Sequence, residues 1–143
     1  MLQHKELKQR LAQDYSYAAT KMREAATPAK KLFYFSIFYA EAQRVLNWEW
    51  DRDLALVYQV TQQTYNQINA TTQNPVLGIL PVDGAILYEQ LTKTASDLAT
   101  YFEKTDDDTN SKELCQILGR LAELAYVSSG NGSYLYEKGL IKI

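Results

Sequence analysis

One histidine and one cysteine limit the chemistry open to this chain of 143 residues. Two-histidine zinc sites, H-E-x-x-H proteases and the paired Glu-x-x-His ligands of di-iron bundles all need more imidazoles than His4 can supply. A Ser–His or Cys–His nucleophile would have to recruit His4, which sits close to an end of the sequence, where chains tend to fray. Cys115 lies between Leu114 and Ile117 and reads as a small buried residue of a helix.

Two short patterns resemble ligand loops but fail at the decisive positions. Asp106, Asp108 and Asn110 alternate as in an EF-hand, yet Ser111 stands where the sharp turn needs glycine. Ile117 stands where a bidentate glutamate must close the calcium shell. Gly130-Asn131-Gly132 has neither a preceding strand nor the third glycine of a dinucleotide loop, so it reads as a helix terminator. Among the carboxylates, Glu41 is the candidate functional group. Buried within the aromatic run, it would have a raised pKa and could act as a base or ligand contact. At the edge it would pair with Arg44 three residues on, and this is the expected arrangement, with no second acid visibly coupled to it.

The elements that must carry these residues are helical. Leu7, Leu11, Tyr15, Ala18, Met22 and Ala25 recur at steps of three and four and predict a first helix from Lys5 to about Ala25. Thr27 suits an N-cap and Pro28 the first position of a second helix. That helix carries Leu32 to Trp50, which holds most of the Phe and both Trp residues. Its first half is apolar nearly all round, with Leu32, Phe35 and Tyr39 on one face and Phe33, Ile37 and Ala40 on another. It is expected at the centre of the bundle, with Trp48 and Trp50 half-buried at its end. The apolar run is far shorter than the roughly twenty residues of a membrane span.

A turn near 47 to 51, with Asp51 as cap, leads to a third helix striped by Leu54, Tyr58, Thr61, Tyr65 and Ile68, with Leu56 and Val60 beside them. The loop from Asn74 to Val82 contains two prolines and a glycine. Asp83 would cap a fourth helix bearing Tyr88, Leu91, Ala95, Leu98 and Phe102. Asn110 with Glu113 would cap a fifth, which buries Leu114, Ile117, Leu118, Leu121, Leu124 and Ala125. Ser133 to Ile143 would form a short tail closing over the bundle. The expected fold is all-α, a single domain over residues 1–143 with about five helices.

Charge is distributed unevenly. Residues 1–52 carry nine Lys or Arg against six Asp or Glu, while the remainder is acidic. Lys5, Lys8, Arg10, Lys21, Arg23, Lys30 and Lys31, together with the tyrosines, make a nucleic-acid or small-molecule binding bundle the alternative reading. The stronger signal is an absence of charge. From Leu54 to Val82 there is no Lys, Arg, Asp or Glu, although the third helix falls in this span and needs a polar face.

That polar face consists of amides, Gln59, Gln62, Gln63, Asn66, Gln67 and Asn69. Interface cores are depleted of charge because desolvating an unpaired ion is costly. Such a helix is either wrapped by its neighbours or part of an interaction surface. In the second case the surface comprises Gln59, Gln62, Gln63, Asn66 and Gln67 with the loop aliphatics Val76, Leu77, Ile79 and Leu80. The expected function is therefore non-enzymatic: a helical protein acting through protein contacts, as a homodimer or as a small subunit, without cofactor or metal and without a membrane. The single cysteine and the mixed-charge start, which lacks the apolar core of a secretory signal, point to a reducing cytosol.

Overall fold

In the computed structural model, residues 2–73 and 84–128 are described. They form five helices: α1 (Lys5–Glu24), α2 (Pro28–Leu46), α3 (Arg52–Gln73), α4 (Gly84–Glu103) and α5 (Ser111–Ser128). A short 3₁₀ turn at Asp106–Asp108 precedes α5, and no strand occurs among the described residues. The all-α bundle is a closed ring in which α1 packs on α2, α2 on α3, α3 on α5, α5 on α4 and α4 back on α1; α2 also touches α4.

The local chemistry explains where the helices begin. The Thr27 hydroxyl accepts from the Lys30 amide at 3.2 Å, and Pro28 opens α2. Asp51 Oδ2 accepts from the Leu54 amide at 2.9 Å and caps α3, which five residues separate from the end of α2. His4 caps α1 by accepting from the Leu7 amide through Nδ1 at 3.3 Å. The backbone amides of Gln3 and His4 donate to the Glu49 carboxylate, so this end is tied to the α2–α3 turn. Lys31 Nζ donates to the Met22 carbonyl at 2.6 Å, satisfying an orphan acceptor in the last turn of α1. Asn110 Oδ1 accepts from the Lys112 amide, but Glu113 does not reach back to complete a capping box. Its carboxylate accepts from Lys104 Nζ at 2.7 and 2.8 Å and so ties α4 to α5.

Tyr15 stands at the middle of the core. It is fully buried, its ring lies 4.6 Å from Phe38 and 5.2 Å edge-on from Phe102, and its hydroxyl donates to the Phe38 carbonyl at 2.8 Å. Burial, with Glu41's charge, holds this phenol well above its usual pKa of 10, which favours the protonated form that donates. Tyr15→Phe should therefore cost about 1 kcal/mol, the worth of one hydrogen bond. The urea midpoint would read this, and an unchanged midpoint would deny the bond a role.

Two expectations about burial change. α2 is not enclosed on all sides: Phe33 is 65% exposed and Ala40 is also exposed, because α2 occupies a place in the ring with one side facing water. Trp48 and Trp50 are 78% and 70% exposed rather than half-buried, because the tight α2–α3 turn carries them off the bundle.

The buried stripe of α3 is also rotated. It runs Leu54, Val57, Thr61, Thr64, Ile68, whereas Tyr58 and Tyr65 are half-buried and Leu56 faces outward. Threonine is tolerated in this stripe because its hydroxyl bonds back to the preceding turn. Thr61 donates to the Val57 carbonyl at 2.6 Å, and Thr64 lies 2.8 Å from the Val60 carbonyl and 3.2 Å from that of Leu121 on α5.

Candidate functional site

Glu41 lies where α1 and α2 run side by side. Arg44 clamps it with a two-pronged contact, Nη2 to Oε2 at 2.7 Å and Nε to Oε1 at 3.2 Å, the i, i+3 pair expected from the sequence. The expectation that no second acid couples to it does not hold. The antiparallel register of the two helices brings Asp14 of α1 against Glu41, and the two carboxyl groups share a hydrogen bond. Arg10 and Arg44 each approach Asp14 Oδ2 at 3.6 Å.

The paired acids titrate apart. Asp14 is raised from 3.8 to about 6, first by burial, then by its hydrogen bond to Glu41 and by Glu41's charge; Arg10 and Arg44 only partly offset these. Burial also pushes Glu41 upward. Hydrogen bonds from Arg44 and from the protonated Asp14 outweigh it and hold Glu41 below its ordinary value. Glu41 thus remains a carboxylate with both oxygens engaged by Arg44, while Asp14 keeps its proton to a higher pH than an ordinary aspartate and gives it up near pH 6. The arrangement is a clamp between helices. The open clefts of about 840, 540 and 430 Å³ are lined by other residues.

This clamp makes a pH prediction. The folded chain binds Asp14's proton more tightly than the unfolded chain, so that contribution to stability is full below about pH 4 and is lost as pH rises through about 6. Glu41 works in the opposite sense: its contribution is present above its ordinary 4.5 and disappears as pH falls through its lowered folded value. Between pH 5 and 7 the Asp14 effect dominates. After allowance for solvent screening at this partly open seam it should amount to roughly 1 kcal/mol. Asp14→Asn should flatten the difference between urea midpoints at pH 5 and 7; a slope equal to wild type would refute the shared proton.

The amides of α3 are divided between rim and surface. Gln59, Gln63, Asn66 and Gln67 are exposed and Gln62 is half-buried, so α3 is flanked by α2 and α5 but not wrapped. Val76, Leu77, Ile79 and Leu80, the aliphatic part of the expected surface, lie outside the described residues, as does the proposed Asp83 cap. Gln63, Asn66 and Gln67 face Ala122, Ala125 and Tyr126 of α5 across a groove of about 430 Å³.

The sequence reading missed the contribution of α5. Cys115, placed in the core by that reading, is exposed. It lies one position past the core stripe of Leu114, Ile117, Leu118, Leu121 and Leu124, which turns it outward. With Gly119, Ala122 and Tyr126 it makes an exposed line at i, i+4, i+7 and i+11. A Cβ built on Gly119 meets nothing within 4 Å among the described residues, which give no steric reason for glycine. In mid-helix it forfeits about 1 kcal/mol relative to alanine. The period of four, three and four was legible in the sequence; the core stripe beside it drew attention away.

Comparison with family models, with curated proteins and with solved structures returned no match. Function therefore has to be argued from the residues. Among those described, no group of His, Cys, Asp and Glu could hold a metal ion, and no helix is long and apolar enough to cross a membrane.

Proposed function

We propose that this chain is a non-enzymatic helical protein that acts through protein contacts, with the uncharged outer side of α3 as the contact surface. The observation that carries the reading is the position of Gln59, Gln63, Asn66 and Gln67. They face water, where helices ordinarily carry Lys and Glu, on a helix with no charge beyond Asp53. Amides on an exposed helix can give up water without the penalty of a buried ion and can both donate and accept across an interface. Trp48 and Trp50 at the α2–α3 turn add large, exposed aromatic area, the residue type most often found to anchor protein interfaces.

The test is insertion of charge. Gln63→Glu combined with Asn66→Glu should leave the melting temperature within a few degrees of wild type, since both sites are exposed, while abolishing association with the partner. Equal association by both proteins would remove this surface from the account.

One observation favours a second reading, binding of single-stranded nucleic acid. Tyr17 and Phe33 are 52% and 65% exposed, both pack edge-on against Tyr34, and Lys21 lies 5.7 Å above the Tyr17 ring. Rings of this kind can stack on unpaired bases. Much of the basic charge is already committed, however. Arg10 and Arg44 serve Asp14 and Glu41, Arg23 donates to Ser96 and Thr20, and Lys31 closes α1. Strongly salt-dependent retention of single strands would promote this reading over the first.

A further inference from the structure

We infer that the outer stripe of α3 pairs with the same stripe of a second copy of the chain, the two helices running antiparallel across a two-fold axis level with Thr61. The inference rests on the contact-surface reading above and gives that surface its partner and its register.

The first observation is the spacing of what α3 exposes. Arg52, Leu56, Gln59, Gln63, Asn66 and Ala70 all face water and recur at steps of four, three, four, three and four. That is the period with which one helix keeps a seam against another, and here it extends over about 27 Å of helix. The interior of the bundle uses a different line, Leu54, Val57, Thr61, Thr64 and Ile68. Among the described residues, no hydrogen bond occupies the side-chain amides of Gln59, Gln63 or Asn66.

Charge then selects the partner. The other long helices all expose ions: Lys5 and Arg10 on α1, Lys30 and Arg44 on α2, Glu89 and Lys93 on α4, Lys112 on α5. A face of that kind laid on α3 would lose water and find no counter-ion, since residues 54–82 hold none. The partner must bring a face equally free of charge, and a second copy brings one. Primary amides also suit each other, because each both donates and accepts, so a row of them is complementary to itself.

Register follows from the positions. With the axis level with Thr61, Gln59 of each copy lies opposite Gln63 of the other, Leu56 opposite Asn66 and Arg52 opposite Ala70. Every exposed position of the stripe meets another, the glutamines gather at the axis, and each Arg52 sits at an open end of the contact against a methyl group. A parallel pair would set Arg52 against Arg52.

The experiment is sedimentation equilibrium of the full chain, joined to disulfide trapping. Wild type should show twice the 16.4 kDa chain mass. Gln63→Glu with Asn66→Glu should weaken the dimer at least a hundredfold and return it to the single-chain mass, with a melting temperature at dilution close to wild type's because both sites are exposed. In a Cys115→Ser background, Gln59→Cys mixed with Gln63→Cys should form the mixed disulfide faster than either protein forms one with itself. Gln13→Cys, on the exposed side of α1, sets the rate of chance collision.

A wild-type monomer at every concentration would overturn the inference. So would species larger than two chains, since a two-fold contact closes, or a dimer that survives the two glutamates. Self-disulfides at position 59 or 63 that outpace the mixed one, or a mixed one no faster than the Gln13→Cys control, would also overturn it. The outcomes separate from those of the broader reading. A wild-type monomer whose binding to another protein is lost on Gln63→Glu with Asn66→Glu sinks the self-pairing alone. Binding that survives those two substitutions sinks the α3 surface.

Discussion

Phe35→Ala is expected to lower stability by about 3–5 kcal/mol, the usual cost of truncating a buried phenylalanine to alanine. Phe35 is 0% exposed and its ring centroid lies 5.7 Å from that of Phe38, which itself touches Tyr15. Removing the ring would leave a cavity where α2 meets the interior of the ring of helices, and the fixed Tyr15–Phe38 hydrogen bond limits how far its walls can collapse. Phe33→Ala, two residues earlier on the same helix, should cost less than about 1 kcal/mol, because that side chain is mostly in water. Chemical denaturation of both proteins checks the contrast; equal costs would mean that α2 is enclosed on every side after all.

The second large effect concerns association. Two glutamates at positions 63 and 66 would place two new carboxylates within the proposed contact, neither with a basic residue on α3 nearer than Arg52. Each would either lose its hydration without a partner or hold the surfaces apart. Either outcome should weaken binding by more than about 100-fold, or roughly 3 kcal/mol. Gln9→Glu with Gln13→Glu, on the exposed side of α1, adds the same charge elsewhere and should change binding little. The comparison separates a local requirement for neutrality from a general response to net charge.

Periodicity and capping chemistry made most of the fold legible. Thr27-Pro28, Asp51 and Asn110 fall where the helices start, because satisfying orphan amides is a local problem with few solutions. The rotation of the α3 stripe was harder to read. Thr64 looks like a surface residue until its hydroxyl is seen bonded to its own helix and beside the Leu121 carbonyl, and aromatic Tyr58 looks more deeply buried than it is. The exposure of Phe33 was hidden for a related reason. An apolar residue is indifferent to which side it is read from, and only the closing of α1 through α5 into a ring determines which side of α2 meets water.

The candidate site and the proposed surface divide in the same way. The uncharged run of α3 is a property of composition and needed no structure. The Asp14–Glu41 proton needed the register of two antiparallel helices, which no short-range pattern encodes.

The most direct measurement is quantitative capture by the immobilised full chain, comparing wild type with Gln63→Glu/Asn66→Glu and with the α1 control, under conditions where all three have the same melting temperature. The account predicts that the α3 substitutions abolish capture of a second copy or of any other specific protein, while the α1 control retains it. Undiminished capture by the α3 variant would contradict the claim that this uncharged face is where the protein works.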